Sequence, residues 1–591
     1  MFKAVLFLSL TYVLVMFQDV QTIIAGVAIF IVGMMFMEEG FKSFTGGALQ
    51  DVLRSWTNRV PKAIFTGFFT TAIVQSSSLI SLITISFLSA ELITLTQGVG
   101  IIFGSNIGTT ATAWIIATFG VKIKIAYYAM SIIIFGVIFK FMQSKTYKGI
   151  GDIFLGLGFI FLGIDFMKEG FETLKNGIDL AQFHIEGFLG VFVYILVGAI
   201  ATVIVQSSSA TMAIIIVAVA TNQIAYIDAI ALAIGSNIGT TVTAVIGSLT
   251  SGANGKRLAV AHFIFNFATA TVTIASVYYL IDFIDYIAPM VGIGEKDYAM
   301  KLTLFHTIFN VIGVLLVAPF IKPLVKFLES LFIGQRQKSG VSKYIDKSSM
   351  DTSLSAVTAL RKESEHLYHN SLEIILHGLS LHRKDVFSEK EVDKILVSSH
   401  TVIDININRM YQVTVKNLYG DIIRYSTLAQ ENMNGQDSKY IYSLKIVNRG
   451  MVRAIKDIEK VQNNFNLYIN HKNEIIRDEY NTLREKLIHI LREISRVEKM
   501  GYNFSEAIFT LEVLKESMHK IDIVKNGRID KLIRDGQIDS EMTTSLINDS
   551  IYTYNVANRL IEFSETVWAD SEILREYDED LESEEKKNET V

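Results

Sequence analysis

Cysteine is absent from the 591 residues of this sequence, which excludes disulfide bonds and thiolate-ligated metal sites. Proline is scarce, and most of the 39 glycines precede residue 350, as do all four prolines: Pro61, Pro289, Pro319 and Pro323. The second half of the chain therefore contains few residues that break helices. No block of basic residues is present, so the sequence gives no indication of nucleic acid binding.

Charged residues are also rare in the first half of the chain. Residues 63–121 contain a single charge, Glu91, and residues 187–255 contain only Asp228. Uncharged runs of this length suit a lipid bilayer, which needs about 20 apolar residues for each spanning helix. The sequence therefore predicts a multi-pass membrane region over residues 1–325, with a first membrane helix or signal anchor at its N-terminus.

Three blocks of sequence occur twice in this region, in the same order and at nearly the same spacing. They are TAIVQSSS at 71–78 with TVIVQSSS at 202–209, GSNIGTTATA at 104–113 with GSNIGTTVTA at 235–244, and GMMFMEEGF at 33–41 with GIDFMKEGF at 163–171. The first two pairs are 131 residues apart and the third pair 130. This pattern predicts a duplicated unit, about 22–150 and 152–282, followed by one further helix near 300–321.

Each copy is expected to contain an entry helix, an apolar hairpin broken at VQSSS, a segment broken at SNIGTT, and an exit helix. If the hairpin is re-entrant, each copy crosses the bilayer an odd number of times, and the second copy is inverted. Inverted repeats with interrupted helices near the midplane are the plan of many secondary transporters. The predicted fold class is thus an all-α polytopic membrane protein with two inverted repeats that contain re-entrant or broken helices.

Polar side chains at membrane depth are tolerated only where they are buried in protein or line a wet cavity. Serine is a good N-cap, so each SSS triplet predicts the start of a half-helix, whose free N–H groups and positive dipole end suit an oxyanion. The glycines of SNIGTT predict local unwinding, which would free carbonyl oxygens for a small cation. These glycines are Gly104, Gly108, Gly235 and Gly239.

Lysine and arginine are missing from both core segments, so no basic side chain there neutralises a bound anion. Positive charge must come from helix dipoles, from hydroxyl and amide donors, or from a cation bound together with the anion. The clusters therefore predict cation-coupled anion transport, and sodium fits hydroxyl, amide and carbonyl oxygens. Close packing is the alternative explanation for any single serine, but four consecutive polar residues in two copies favour a site.

Two further pairs of polar residues follow the second copy of the motifs. His262 with Asn266, and His306 with Asn310, are each four residues apart and lie on one helix face. Interhelical hydrogen bonds are the favoured interpretation of both pairs, with a ligand role as the alternative. The acidic residues are interpreted differently: Glu38, Glu39 and Glu169 are expected at helix ends, where interfacial solvation explains them, and a coupling role for the deeper Asp165 is left open.

The twin QSSS segments, each followed by an N-I-G-T-T stretch 31 residues on, resemble the type II sodium/phosphate cotransporter family. The resemblance covers about residues 20–320 and implies that inorganic phosphate moves with Na⁺ across the plasma membrane, with Na⁺ as coupling ion and no other cofactor. It also implies one shared site for phosphate and sodium, without separating their ligands. The residues are Gln75, Ser76, Ser77, Ser78, Asn106, Thr109, Thr110, Gln206, Ser207, Ser208, Ser209, Asn237, Thr240 and Thr241.

The C-terminal half is similar to the extension found in the bacterial branch of that family, a soluble PhoU-like domain. After a linker at 326–350, apolar residues at helical spacing over 351–570 predict six long amphipathic helices, in two sets of three as in PhoU. By this resemblance the domain is cytoplasmic and regulates flux. The acidic tail, 571–591, is expected to be disordered.

PhoU-type metal sites use carboxylates in an E-x-x-x-D pattern on helices, and this sequence departs from that pattern. Asp457, Glu459 and Glu562 are present, but Asn463 stands where the second carboxylate is expected. A solvated charged face is therefore the expected role of these residues.

Another class of function remains open at this stage. The membrane half is also compatible with a phosphate sensor that does not transport and signals through the helical domain, although intact copies of both motifs argue against it. A membrane enzyme has no support, because the sequence shows no nucleophile–base pair, metal-ligand cluster or nucleotide loop. A homo-oligomer, phosphate-signalling partners, the direction of flux and the sodium stoichiometry are left open.

Overall fold

The computed structural model describes residues 14–121, 126–175, 184–249, 251–332, 340–431, 433, 435–500, 504–518 and 523–569. Within these residues the chain is helical and forms no strand, and it divides into two compact units, Met1–Ile333 and Gly334–Val591. Among the described residues of the first unit, seven helical segments are long and apolar enough to cross a membrane. The predicted all-α polytopic membrane class is therefore confirmed, while the predicted tail and most of the N-terminal segment lie outside the described residues.

Six helices and one π-helical turn form the described part of the first copy of the membrane unit. They are α1 (Gln18–Ser55), α2 (Val60–Val74), α3 (Ser77–Ser89), α4 (Leu95–Gly108), α5 (Thr110–Ile115) with the π-helical turn Ile116–Val121, and α6 (Ala126–Lys140). Helices α2 and α3 have 15 and 13 residues, fewer than the ~20 that a bilayer span needs. They form the predicted hairpin, broken at VQSSS.

The second copy repeats this order of helices, and three more helices follow it. The helices are α7 (Lys145–Leu174), α8 (Gly187–Val205), α9 (Ser208–Ala220), α10 (Tyr226–Ser248), α11 (Ala253–Ala275), α12 (Val277–Ile287), α13 (Tyr298–Val317) and α14 (Ile321–Leu331). The predicted boundary between the copies, at residues 150–152, falls inside α7. Helix α13 corresponds to the additional helix expected near 300–321.

Large apolar side chains on the outside of the membrane unit indicate where lipid contacts it. On α8, Leu189, Phe192, Leu196, Ile200 and Ile204 are all exposed. They recur every three or four residues and so form one continuous face of the helix. A water-soluble unit of this size rarely exposes such a stripe, whereas a bilayer provides its natural environment.

The two entry helices, α1 and α7, pack against each other through glycines spaced seven residues apart. A methyl carbon added at these glycines of α1 would lie 2.6–2.7 Å from a carbonyl oxygen of α7, so only hydrogen fits. In these pairs the residue number increases along α1 while it decreases along α7, so the two helices run antiparallel. The pairs are Gly26 with Gly163, Gly33 with Gly156, and Gly40 with Gly149.

The predicted unwinding at SNIGTT is wrong. Helix α10 runs without interruption through Gly235, and in the first copy Thr109, which joins α4 to α5, keeps helical angles (φ −62°, ψ −22°). The glycines serve close helix packing instead, because a methyl carbon added at Gly235 would lie 2.0 Å from the carbonyl oxygen of Ile195 on α8. At Gly104 the corresponding distance, to the carbonyl oxygen of Ile64, is 1.8 Å.

Gly235→Ala is therefore expected to destabilise the membrane unit, since the added methyl group forces α8 away from α10. Overpacking of this kind typically costs about 1–3 kcal/mol, which should lower the melting temperature of the purified chain in detergent. Gly420→Ala is the control, because a carbon added there meets no atom within 4 Å. The same melting temperature for both variants would contradict the packing role of Gly235.

The second unit contains ten α-helices among its described residues. They are α15 (Ser353–Gly378), α16 (Arg383–Val386), α17 (Val392–Ser398), α18 (Ile407–Thr414), α19 (Lys416–Glu431), α20 (Gln436–Tyr468), α21 (Glu474–Lys499), α22 (Phe504–Ser517), α23 (Arg528–Arg534) and α24 (Ser540–Ser564), which continues as the π-helical turn Glu565–Ala569. Six of these have 14 residues or more, the number of long helices predicted. Helix α20 contacts α15, α19 and α24 and so lies at the centre of the unit. The PhoU-like arrangement in two sets of three stays a prediction.

The carboxylates considered for a metal site make other contacts. Asp457 forms ion pairs with Arg559 and with Lys460, the latter at 3.4 Å. Glu562 accepts a hydrogen bond of 2.7 Å from the side chain of Asn558. Within the described part of the chain, no group of three or more possible His, Asp, Glu or Cys ligands occurs.

A buried aspartate, Asp549, lies in the core of the helical unit. Its carboxylate accepts hydrogen bonds from the Tyr480 hydroxyl, at 2.6 Å, and from the Asn464 amide, at 2.9 Å. Burial raises the pKa of Asp549, and the two hydrogen bonds offset part of this effect. The folded unit therefore binds a proton at Asp549 more tightly than the unfolded chain does.

The raised pKa of Asp549 predicts the direction in which the stability of the helical unit changes with pH. Because the folded pKa of Asp549 is raised, its stabilising contribution is fully present below about pH 4, the ordinary pKa of aspartate, and is lost as the pH rises through the folded pKa. Asp549→Asn should remove this loss, so that the variant becomes more stable relative to the parent as pH increases from 4 to 7. Urea unfolding gives the free energy of unfolding at each pH. The unfolding is followed by the fluorescence of Trp568 in a chain in which Trp56 and Trp114 are replaced by phenylalanine.

The exposed Asp530 provides the matched control for this measurement. Asp530→Asn is expected to leave the pH dependence of unfolding as it is in the parent chain. A pH dependence that persists unchanged in Asp549→Asn would show that the titrating group lies elsewhere.

Candidate functional site

The hairpin of each copy is interrupted by the same unusual backbone conformation. Helix α2 ends at Gln75 (φ 59°, ψ 20°) and α8 ends at Gln206 (φ 56°, ψ 22°), both in the left-handed region. This conformation costs a non-glycine residue roughly 1–2 kcal/mol. An extended serine follows in each copy: Ser76 (φ −138°) and Ser207 (φ −148°). The two VQSSS motifs therefore form the same turn.

These two serines cap the helices that follow them. Ser76 Oγ accepts a hydrogen bond of 3.2 Å from the backbone N–H of Leu79, and Ser207 Oγ accepts one of 3.2 Å from that of Ala210. Helices α3 and α9 thus begin at the second serine of each triplet, as the sequence predicted. The first N–H groups of both helices have no acceptor inside the helix, so they point out of its N-terminus as donors.

The remaining serines of the triplets sit at these helix starts and are partly accessible. Ser77, Ser208 and Ser209 are half-buried, and Ser78 is exposed. Within the described residues, no hydrogen bond joins the triplet of one copy to that of the other. Both triplets are therefore partly accessible at the starts of their helices.

The two glutamines differ between the copies. Gln75 is half-buried, and its side-chain carbonyl accepts a hydrogen bond of 2.8 Å from Thr112. Gln206 is exposed, and its side chain has no hydrogen-bond partner in the described part of the chain. The first glutamine is therefore held in place, while the second is free to reorient.

Hydroxyl pairs that the sequence analysis missed connect each hairpin to the SNIGTT helix beside it. Thr71 Oγ1 donates to Ser105 Oγ at 3.0 Å in the first copy, and Thr202 Oγ1 donates to Ser236 Oγ at 3.0 Å in the second. All four side chains are buried. The 131-residue offset between the two pairs was the signal that could have identified them.

The threonines predicted to line the site bond to their own helices. Thr109 and Thr240 donate to the carbonyl oxygens three residues before them, at 2.7 and 2.5 Å, and Thr110 and Thr241 do the same at 2.8 and 2.7 Å. Their hydroxyl hydrogens are therefore used within the helix. The oxygen lone pairs remain, so these side chains can act only as acceptors in this arrangement.

The asparagines of the two SNIGTT motifs both make contact with one helix, α11. The Asn106 Oδ1 atom is 3.1 Å from His262 Nε2, and Asn266 Nδ2 donates to the carbonyl oxygen of Asn237 at 3.0 Å. Four residues separate His262 from Asn266, which corresponds to about 6 Å along the helix axis. The structure therefore brings equivalent residues of both copies together within about one helical turn.

The predicted interhelical hydrogen bonds are confirmed for His262 and Asn266 but wrong for His306 and Asn310. Asn310 Nδ2 donates to the carbonyl oxygen of His306 at 2.9 Å, within α13 itself. The asparagine amide can reach back one turn, which satisfies its donor locally. His306 Nδ1 and Asn310 Oδ1 are buried without a hydrogen-bond partner among the described residues.

Glu38 does not lie at a helix end, where the sequence analysis predicted it, although it lies near the end of the candidate membrane span Gln18–Ser43. It lies in the middle of α1, which ends only at Ser55, and its Oε2 atom accepts a hydrogen bond of 3.0 Å from Ser76. Its Oε1 atom forms an ion pair of 2.9 Å with Lys42. A carboxylate therefore contacts the first QSSS cluster, whereas the equivalent position in the second copy is Lys168.

The capping role of Ser207 can be tested on its own. Ser207→Ala removes the acceptor for the N–H of Ala210 and should cost about 1 kcal/mol, as N-cap losses do. We expect faster hydrogen exchange in the first turn of α9, measured by mass spectrometry on the purified chain. Ser207→Asn keeps a capping oxygen and should restore slow exchange. If all three proteins exchange at one rate, the serine does not stabilise this helix.

Comparison with known proteins supports the membrane unit most directly. The family described as Na+/Pi-cotransporter matches residues 29–169, from α1 into α7, and residues 190–322, from α8 into α14. The uncharacterised protein YqeW of Bacillus subtilis is 28% identical over 292 residues, which cover 49% of this chain and 91% of YqeW. YjbB of Escherichia coli, named as a candidate inorganic phosphate export protein, is 24% identical over 385 residues, or 63% of this chain and 67% of YjbB. No solved structure matches the chain. The membrane unit of this chain is therefore similar to the Na+/Pi-cotransporter family.

Proposed function

We propose that this protein carries inorganic phosphate across the plasma membrane together with Na⁺. The observation that carries the proposal is the convergence of both SNIGTT asparagines, Asn106 and Asn237, on one face of α11. Two duplicated polar motifs that meet inside a membrane unit offer one shared site, whereas residues that serve only packing need no such meeting point. The match to the Na+/Pi-cotransporter family model and the name of the Escherichia coli relative support phosphate as the substrate.

Phosphate is held in this proposal without basic side chains. The donors are the free N–H groups at the starts of α3 and α9, together with the hydroxyl groups of Ser77 and Ser208. Helix N-termini suit oxyanions because their partial positive charge and N–H groups point at the ligand. Since these donors carry no full charge, a cation bound nearby lowers the free energy of the bound anion.

Sodium supplies that cation in the proposed mechanism. Oxygen acceptors are abundant in the motifs: the lone pairs of Thr109 and Thr240 remain available after each hydroxyl has donated within its helix. The Glu38 carboxylate at Ser76 adds a negative charge on the side of the first copy. Hydroxyl, carbonyl and carboxylate oxygens are hard ligands of the kind that small hard cations prefer.

The transport cycle follows from the duplicated architecture. The antiparallel packing of the entry helices α1 and α7 supports an inverted second copy, because equivalent helices of an inverted pair run in opposite directions. Alternating access then comes from motion of one assembly relative to the other around the shared site. The same site serves import and export, so the ion and phosphate gradients set the direction.

The helical unit is proposed to be a PhoU-like regulatory domain on the cytoplasmic side. Six long helices, the number in PhoU, support this assignment together with their charged outer faces. A sensor that does not transport is the competing function, and it predicts no phosphate flux. Deleting the residues after 345 should leave flux in proteoliposomes if the helical unit only regulates transport.

Sodium dependence is the direct test of the proposed function. Labelled phosphate uptake into proteoliposomes should require an inward Na⁺ gradient and should stop when choline replaces Na⁺. Phosphate flux of equal size without sodium would refute coupling, and no flux under either gradient would favour the sensor.

Ser208→Ala tests whether the serine triplet contacts the substrate. Removing one hydrogen bond to a charged ligand costs about 1.5–3 kcal/mol, so sodium-dependent uptake at low phosphate should fall at least about tenfold. Ser86→Ala is the control, because Ser86 is a buried serine of the hairpin helix α3 and its hydroxyl has no partner in the described part of the chain. Equal uptake by the two variants would reassign the triplet to packing.

A further inference from the structure

Helix α11 links the two copies through two side chains on one face. His262 Nε2 lies 3.1 Å from the Oδ1 atom of Asn106, a residue of the first copy. Asn266 Nδ2 donates to the second copy at two points, the carbonyl oxygen of Asn237 at 3.0 Å and Thr240 Oγ1 at 3.4 Å. A single rigid element thus holds equivalent positions of both SNIGTT motifs.

The packing around this face makes the connection stiff. Phe265 lies between the two polar residues in sequence and is fully buried against Phe103 of α4, with ring centroids 4.6 Å apart. Helix α11 contacts both α4 and α10. A displacement of α10 relative to α4 must therefore move α11 or break one of its hydrogen bonds.

Two atoms at this connection have unused hydrogen-bonding capacity. Asn106 Nδ2 and Asn266 Oδ1 are buried, and neither has a partner among the described residues. A buried polar group without a partner costs about 1–3 kcal/mol. Asn106 Nδ2 is a donor and suits an anion, whereas Asn266 Oδ1 is an acceptor and suits a cation. Two ligands of opposite charge would therefore give both atoms a partner.

We propose that His262 and Asn266 are positioning residues that couple sodium binding to phosphate binding. This inference rests on the proposed function, because it assigns the coupling to particular side chains of the same site. A ligand that fixes the asparagine of one copy fixes α11, and α11 then holds the asparagine of the other copy in place. The coupling is reciprocal: sodium tightens phosphate binding by the same factor as phosphate tightens sodium binding.

The measured quantity is the ratio of phosphate dissociation constants without and with Na⁺. Calorimetric titration of the purified full chain with inorganic phosphate, in choline or in sodium, gives this ratio. His262→Leu and Asn266→Leu should each lower it by about tenfold, within the usual range of couplings between two sites. The ratio measured for the double variant should be no lower than that of either single variant, because both side chains act through one connection.

Two further variants separate coupling from folding. His262→Gln keeps an amide donor within reach of Asn106 and should retain most of the ratio. Thr269→Val is the matched control one turn further along α11, because Thr269 is buried and its hydroxyl bonds only to the carbonyl oxygen of Phe265 in its own helix, at 2.7 Å. Partial unfolding would reduce the number of sites in every titration and leave the ratio of dissociation constants unchanged.

Each outcome decides the proposal. A ratio that falls in both leucine variants and is kept in His262→Gln and Thr269→Val supports it. An unchanged ratio in the leucine variants overturns it and leaves the proposed transport intact. If the parent chain binds phosphate with the same affinity in choline and in sodium, coupling is absent and the inference fails. If the parent binds no phosphate at all, the proposed function fails as well.

Discussion

An interrupted helix in hydrocarbon leaves backbone N–H and C=O groups that no water can satisfy, and this constraint governs the membrane unit. The chain interrupts its hairpins twice, at Gln75 and Gln206, and each time the next serine caps the following helix. The same turn of backbone thus satisfies part of the broken helix and leaves the remaining N–H groups at the start of the next helix as donors. Without the serine cap, the same turn would be a defect in an otherwise apolar hairpin.

Close packing of the SNIGTT helices on the hairpin helices supports these turns. Gly104 and Gly235 allow the SNIGTT helix of each copy to pack directly on the backbone of the hairpin helix, and the short distance lets buried hydroxyls meet across the interface. The Thr202–Ser236 hydrogen bond of 3.0 Å is one result. A methyl group at Gly235 would therefore disturb more than packing, because it separates the two hydroxyls that hold the turn of Gln206 against α10.

Local chemistry was predictable from the sequence, and contacts between distant segments were not. The starts of α3 and α9 follow from serine capping, which involves residues three apart, and the duplicated order of helices follows from the repeated motifs. The packing role of Gly235 depends on the carbonyl oxygen of Ile195, which belongs to another helix. The local sequence does not contain this contact, and it predicts a helix break at Gly235 instead. The contact between Glu38 and Ser76 spans 38 residues, and nothing in the local pattern around either residue indicates it.

The differences between the copies matter as much as their likeness. Two identical clusters would select the same ligand, yet a coupled transporter must hold a cation and an anion at once. The backbone of the two turns is nearly identical, but the first turn has the Glu38 carboxylate at Ser76 and an anchored Gln75, whereas Gln206 of the second turn is exposed. In the sequence repeat, the position equivalent to Glu38 is Lys168. A carboxylate attracts cations and repels phosphate, so in the proposed cotransport this change of charge would give the two half-sites opposite preferences. The proposed connection through α11 would then make the occupancy of each half-site depend on the other.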